Sequence, residues 1–267
     1  MTPTSNLPAN PESAGASDCQ RVQAAMRAQA EPEKAKFLAG FFKTGPGQYG
    51  EGDQFLGIVV PAVRQMAKQF RRLPLVDCET LLASPYNEER LLALLILAGR
   101  YQQGDVAIQD KVYQLYLAHR HRVNNWNLVD SSAPNIVGAH LLTRDRALLV
   151  ELAQSRSLWD RRIAVLATLT FIRAKDFADT LRLVEMLLAD PQDLMHKACG
   201  WMLRELGKRD AAVLEDFLSI HQQVMPRTML RYAIERFAPD KRAALLAGTF
   251  RSAKSLPPTD SVHPCRS

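Results

Sequence analysis

The sequence has few cysteines, and none of them lies in a pattern typical of a metal or redox site. The four cysteines are widely separated, at Cys19, Cys78, Cys199 and Cys265. Without a CxxC pair or an HExxH spacing, the sequence predicts neither a zinc site nor a redox dithiol. We therefore expect free thiols, as in a reducing cytosol, and no metal or other cofactor.

Long apolar runs are missing as well. The nearest candidate, Leu91 to Ala98, is far shorter than the roughly 18 residues needed to span a bilayer. The N-terminal stretch has neither the basic nor the apolar segment of a secretory signal. These absences predict a cytoplasmic protein that has no membrane partner. We expect a monomer of the bacterial cytosol that associates with the nucleoid.

Alternating β patterns bounded by turn residues are nearly absent, and LGIVV at residues 56–60 is the one short β-like run. Most of the remaining chain places apolar residues at spacings of three and four with charged residues between them, as amphipathic helices do. The sequence therefore predicts an all-α fold.

The predicted helices recur in pairs. NEERLLALLIL begins at residue 87, LWDRRIAVL at 158, LMHKACGWML at 194 and MPRTMLRYAI at 225. Helix pairs that repeat every 30–40 residues or so are typical of a HEAT-like helical repeat solenoid, which curves around a concave groove. We predict one such domain over residues 18–250, flanked by disordered tails at residues 1–17 and 251–267.

The distribution of positive charge indicates an anionic partner. The formal net charge is +6 at pH 7, which favours nucleic acid among possible partners. Alignment of the four helix starts places Arg90, Arg162, Lys197 and Arg227 at equivalent positions. Because a cation near a helix start opposes the macrodipole, stability alone does not explain the repetition. The pattern favours a track of phosphate contacts in a concave basic groove, with four solvated side chains as the alternative.

Residues 45–53 read GPGQYGEGD and formally match the GxGxxG pattern of dinucleotide-binding proteins. That function requires a strand before the glycines and a helix directly after them, within a βαβ unit. The sequence predicts neither, so we interpret the segment as a turn-rich connector.

The most informative stretch is VNNWNLVDSSAP, residues 123–134. Trp126 and Asp130 are four residues apart and share one face of a helix. Pro134 cannot donate a hydrogen bond to the carbonyl of Asp130, and its ring crowds that carbonyl. We therefore predict a kinked or broken helix beside an aromatic ring and a carboxylate. The alternative is a core tryptophan with a structural aspartate.

Three tryptophan-bearing motifs occur in the order NNWNLVD, LWDRRIAVLA and HKACGWMLREL. In this order and separation they resemble the AlkD-like DNA alkylation repair family, and FFKTGPGQYGEGDQFLGI is similar to a branch of it. The resemblance covers residues 35–240. It implies a HEAT-like solenoid whose concave basic face holds duplex DNA. It also implies an enzyme that excises positively charged alkylated purines.

Matched by motif position, the resemblance implies that Asp130 is the catalytic carboxylate and Trp126 its aromatic neighbour. It also implies that Arg162 contacts the DNA backbone near the lesion and that Trp201 packs beside the lesion nucleotide. Asn127 stands where many relatives have Asp. The remaining predicted DNA contacts are Arg90, Trp159, Arg161, Lys197 and Arg227.

Glycoside hydrolysis ordinarily uses two carboxylates, and only one is visible here. One suffices if the leaving base is already cationic, because the base then departs neutral and needs no general acid. The carboxylate stabilises the oxocarbenium sugar and orients water. We therefore predict a monofunctional glycosylase that removes N7-alkylguanine and N3-alkyladenine from double-stranded DNA. The alternative is a non-catalytic helical-repeat protein that binds DNA structures or a protein partner.

Overall fold

The computed structural model describes residues 17–251, and every regular element in that range is helical. The predicted all-α fold is confirmed. The β-like run forms no strand, since residues 56–59 are an extended connector and Val60 begins a helix. The predicted tails lie outside the described residues except at their inner ends, where Ser17 caps the first helix through its side chain. No described helix is long and apolar enough to cross a membrane.

The chain divides into two compact units, Met1–Asn125 and Trp126–Ser267. The first contains α1 (Asp18–Arg27), α2 (Pro32–Phe41), α3 (Val60–Gln69), α4 (Leu75–Leu82), α5 (Asn87–Gln103), α6 (Val106–Ala118) and a 3-10 turn at Arg120–Arg122. The second contains α7 (Trp126–Ser132), a π-helical turn (Pro134–Gly138), α8 (Ala139–Leu141), α9 (Ala147–Ala153), α10 (Leu158–Arg173), α11 (Ala178–Met186), α12 (Asp193–Gly207), α13 (Ala211–His221), α14 (Arg227–Ala233) and α15 (Pro239–Ala247).

Helix pairs stack against one another in the second unit, which confirms the predicted helical repeat. The helices α10, α12 and α14 pack side by side, while α9, α11 and α13 pack against them. Two glycines allow this close approach. A Cβ atom on Gly138 would lie 2.2 Å from the carbonyl oxygen of Ala167, and one on Gly200 would lie 2.5 Å from that of Met229. A side chain at either position would therefore push neighbouring helices apart.

The segment after α7 departs from α-helical geometry, as Pro134 predicts. In the π-helical turn, the N–H of Gly138 donates to the carbonyl of Ala133, five residues earlier. Pro134 lacks the N–H that would bond the Asp130 carbonyl, so the α-helical hydrogen-bond register ends there. The hydroxyl of Thr170 in α10 donates to the Pro134 carbonyl at 2.6 Å, which anchors the distorted turn.

The first unit is built around α5, which packs against α3, α4 and α6. The first turn of α5 is polar and yet buried. Its Glu88 carboxylate accepts hydrogen bonds from the backbone N–H groups of Leu56, Gly57 and Ile58. These bonds fix the extended connector that leads into α3.

The glycine-rich segment is a connector, as predicted, because no strand precedes it and no helix directly follows it. Its last residue, Asp53, is buried and forms the centre of a polar cluster. The side-chain amides of Asn87 and Asn125 each donate to Asp53 at 3.0 Å. The guanidinium of Arg90 donates to the other carboxylate oxygen at 2.5 Å.

The predicted phosphate contact of Arg90 is wrong. Only 1% of its side chain is exposed, and its guanidinium also donates to the carbonyls of Ser84 and Pro85. The cation is therefore satisfied inside the fold by Asp53 and by backbone carbonyls. Arg90 is equivalent in sequence to Arg162, Lys197 and Arg227 because the helices repeat, and this equivalence does not place Arg90 on a DNA-binding surface.

Replacing Arg90 with alanine is expected to lower the free energy of unfolding by about 3–5 kcal/mol, because it leaves the Asp53 carboxylate buried without its cation. Urea unfolding of both proteins measures the difference. The control is Arg182→Ala, which removes an exposed cation from α11 and should change stability by less than about 0.5 kcal/mol. Equal stability of the Arg90 variant and the wild type would contradict the structural role of this ion pair.

Candidate active site

The carboxylate of Asp130 and the guanidinium of Arg162 form a two-point ion pair in the second unit. Asp130 lies on α7, and Arg162 lies near the start of α10. Nε and Nη2 of Arg162 donate to the two carboxylate oxygens, each at 2.9 Å. Two parallel hydrogen bonds fix both the position and the orientation of the carboxylate.

The two partners differ in exposure. The side chain of Arg162 is 6% exposed, whereas that of Asp130 is 19% exposed, so part of the Asp130 side chain stays accessible to solvent. Burial raises the pKa of Asp130 above its ordinary value, while the charge and hydrogen bonds of Arg162 act in the opposite direction. Arg162 therefore keeps Asp130 ionised at lower pH than burial alone would allow.

Arg162 also joins three helices of the second unit. Besides its bonds to Asp130 on α7, its Nη1 donates to the carbonyl of Leu194 on α12 at 2.6 Å. These contacts engage three of the five N–H donors that a guanidinium carries. The phosphate contact expected of Arg162 stays a prediction, and it would have to use the remaining donors.

None of the three tryptophans lies fully in the core. Trp126 begins α7 and shares a helical face with Asp130. Trp159 lies in the first turn of α10, and Trp201 lies near the middle of α12. All three side chains are half-buried, so each can pack on the protein and still present part of its ring.

Glu205 is a neighbour of Trp201 that the sequence analysis missed. It lies one turn after Trp201 on α12, the indole N–H of Trp201 acts on its carboxylate, and Lys208 Nζ lies 2.6 Å from Glu205 Oε1. Although burial raises it, the pKa of Glu205 is lowered overall by the hydrogen bond and charge of Lys208 and by the Trp201 N–H. The four-residue spacing between Trp201 and Glu205 is the sequence signal that could have identified this pair.

Arg161 forms an ion pair and backbone hydrogen bonds within the second unit. Its Nε donates to Asp190 at 2.6 Å, and its Nη1 donates to the carbonyls of Ser155 and Arg156. The side chains of Arg161 and Asp190 are only 12% and 3% exposed. The expected DNA contact of Arg161 stays a prediction, and a buried carboxylate already pairs with this cation.

Lys197 and Arg227 are more accessible. Lys197 keeps 41% of its side chain exposed and pairs with Asp193, one turn earlier on α12, at 2.8 Å. Arg227 is exposed at the start of α14, where its Nη1 donates to the carbonyl of Leu246 at 2.7 Å. The DNA contacts expected of Lys197, Arg227 and Trp159 stay predictions.

Within residues 17–251, no group of three or more histidine, cysteine or acidic side chains is arranged to hold a metal ion. Cys19, Cys78 and Cys199 are buried free thiols, and Cys265 lies outside the described residues. Burial raises the pKa of both Cys78 and Cys199 to about 12, so neither is a nucleophile at neutral pH. The groups available for chemistry at this site are one oriented carboxylate and its buried cation, with the half-buried indole of Trp126 one turn earlier on α7.

Comparison with known proteins yields a family and a similar fold among solved structures. The family model for the DNA alkylation repair enzyme matches residues 22–237. A solved structure from Enterococcus faecalis, titled as a predicted DNA alkylation repair enzyme, has a TM-score of 0.60 and 17% identity. The match covers 79% of this chain and 97% of that chain, and at such low identity it shows a shared fold. No curated protein matches the chain significantly.

We expect the pKa of Asp130 to rise when Arg162 is replaced by glutamine, because the effect of burial is then no longer opposed by a neighbouring cation. Asp130 of the Arg162 variant would therefore become protonated at a higher pH than Asp130 of the wild type. NMR titration of the Asp130 carboxyl carbon measures both values, with Arg182→Gln as the control that should leave the pKa unchanged. An unchanged or lower pKa in the Arg162 variant would contradict this account.

Proposed function

Because the chain belongs to the family of DNA alkylation repair enzymes, we propose that it is a monofunctional DNA glycosylase that releases cationic alkylated purines from duplex DNA. Its substrates are N7-alkylguanine and N3-alkyladenine. One observation above all supports the proposal: the partly exposed carboxylate of Asp130 is held at two points by the buried guanidinium of Arg162.

The proposed chemistry needs only one carboxylate. When the N-glycosidic bond of an N3- or N7-alkylated purine breaks, the bonding electron pair goes to the base, which leaves neutral. The positive charge then resides on the deoxyribose as an oxocarbenium ion, and water adds to C1′ and loses a proton. Because the leaving base needs no general acid, the protein has to stabilise the sugar cation and admit water.

Asp130 is suited to both tasks. Its two oxygens are fixed by Arg162, so little reorganisation is needed when charge develops on the sugar. The ion pair also opposes the rise in pKa that burial causes, which favours the charged form of the carboxylate. No lysine takes part in this scheme, so the proposal includes no covalent intermediate and no lyase step.

The half-buried indoles of Trp126 and Trp201 offer aromatic faces to a cationic base or sugar. Such a contact stabilises a cation by about 0.5–2 kcal/mol. Trp126 lies one turn before Asp130 on the same helix. The indole N–H of Trp201 interacts with Glu205, one turn later on α12, and this interaction would favour one orientation of the ring when DNA binds.

The function is tested by incubating the purified protein with a duplex that carries a single N7-methylguanine and measuring the released base by chromatography. Release faster than spontaneous depurination, and absent with heat-denatured protein, is the expected result. Binding of the duplex without release would instead favour the non-catalytic DNA-binding alternative. If the protein shows no salt-sensitive affinity for DNA, the result would favour the alternative of a helical repeat that binds a protein partner.

Replacing Asp130 with asparagine is expected to slow base release about ten- to a thousandfold, because the shape is kept while the stabilising charge is lost. Affinity for undamaged duplex should persist or increase, since a carboxylate near phosphates repels them. Single-turnover release and fluorescence anisotropy measure the two quantities. Asp240→Asn, at an exposed position on α15, serves as the control. Wild-type release by the Asp130 variant would rule out this mechanism.

Glu205 is expected to act on catalysis through Trp201. Glu205→Ala removes the acceptor of the indole N–H and should slow release, whereas Glu205→Gln retains an acceptor and should restore most of the rate. With Trp126 and Trp159 replaced by phenylalanine, the fluorescence anisotropy of Trp201 should fall in the alanine variant only. Equal rates and equal anisotropy in both variants would show that Glu205 serves stability alone.

Lys197 and Arg227 are the proposed phosphate contacts. Changing either to glutamine should reduce the slope of log affinity against log salt by about 0.9, the value for one phosphate contact. The exposed Lys111 of α6 provides a control substitution to glutamine that should leave the slope unchanged. Unchanged slopes for both site variants would remove these residues from the proposed DNA interface.

A further inference from the structure

We propose that the first unit carries a docking groove for an acidic peptide that has apolar side chains on one face. The groove lies between α3 and α5 and has a volume of about 440 Å³. Its floor is apolar and is formed by Ala67 of α3 together with Leu95 and Ile96 of α5. This proposal does not depend on the proposed glycosylase activity.

One wall of the groove is positively charged. Arg64 and Lys68 are four residues apart on α3, so they lie on the same side of the helix. Arg71 lies in the turn just after α3 ends at Gln69, and it lines the same groove. All three are exposed, and within residues 17–251 none forms an ion pair or a side-chain hydrogen bond.

The positive wall continues beyond the groove. Arg71 also lines an adjoining hollow of about 420 Å³ together with Arg72 and Arg100. No acidic residue of the described chain lines either hollow. Uncompensated cations around a concave surface favour a negatively charged partner.

The floor has room for side chains of a partner. Gly99 lies on the floor near the C-terminal end of α5, and a Cβ atom built there would have no heavy atom within 4 Å. Glycine weakens the interior of a helix, and no neighbouring residue requires one at this position. The open space above Gly99 therefore suits a side chain that a partner inserts.

An acidic peptide fits these features better than nucleic acid does. Contacts with a DNA backbone use cations and N–H donors, and an apolar floor adds nothing to them. An amphipathic peptide helix laid into a groove places its apolar face on the floor and its carboxylates against the cationic wall. The aliphatic stems of Arg64 and Lys68 widen the apolar surface for such a peptide.

The test uses a fluorescent synthetic peptide with leucines on one helical face and glutamates elsewhere, and a matched peptide in which lysines replace the glutamates. We expect the acidic peptide to bind the full-length protein and the basic peptide not to bind. Reversal of the wall in Arg64→Glu/Lys68→Glu should weaken binding about tenfold or more. Gly99→Leu, which fills the floor, should have a similar effect.

Two matched controls separate the groove from general effects. Arg182→Glu/Arg236→Glu reverses two exposed cations outside the groove, and Gly40→Leu fills another open glycine position, on α2. Both should bind the peptide as the wild type does, and thermal melting confirms that all variants fold. Equal affinity of the groove variants and the wild type overturns the proposal. Loss of duplex DNA affinity in the wall variant, without peptide binding to the wild type, also overturns it and assigns the surface to nucleic acid.

Discussion

The guanidinium of Arg162 is buried among the packed helices of the second unit, and a buried cation without a counter-charge would destabilise the fold. The carboxylate of Asp130 provides that counter-charge. The arrangement of the site depends on this pair. Its hydrogen bonds join α7 to α10, and the further bond to the Leu194 carbonyl joins α10 to α12. The carboxylate is thereby oriented, and Arg162 opposes the rise in its pKa that burial causes, while part of the Asp130 side chain stays exposed. Structural stability and the proposed chemistry thus use the same contact.

The same physical constraint explains other cations near helix starts. Arg90 is neutralised by Asp53, which comes from the connector before α3, and Arg161 by Asp190, which comes from the turn before α12. In each pair the acid is distant in sequence and buried. A helical repeat brings helix starts close to the connectors of neighbouring repeats, so ion pairs between these segments can hold successive repeats together. Cations that recur in register are therefore weak evidence for a binding surface until their partners are known.

Sequence periodicity was sufficient to predict the helices, the repeat and the distortion at Pro134, because spacing and proline chemistry act locally. It was not sufficient to separate Arg90 from Arg227, which occupy equivalent positions and are buried and exposed respectively. That difference is set by Asp53, 37 residues away from Arg90. Glu205 lay within local range of Trp201, but a glutamate one turn away is common on helices and gives no indication of an indole hydrogen bond.

The central claim is that the charge on Asp130 drives base release, and the pH dependence of the reaction tests it most directly. The single-turnover rate of N7-methylguanine release would be measured against pH in the wild type and in Arg162→Gln, after subtraction of spontaneous depurination. The account predicts that the acid limb of each profile coincides with the Asp130 pKa measured by NMR in that protein. The acid limb of the Arg162→Gln profile should therefore lie at a higher pH than the acid limb of the wild-type profile. An acid limb that stays in place while the pKa of Asp130 moves would contradict the account.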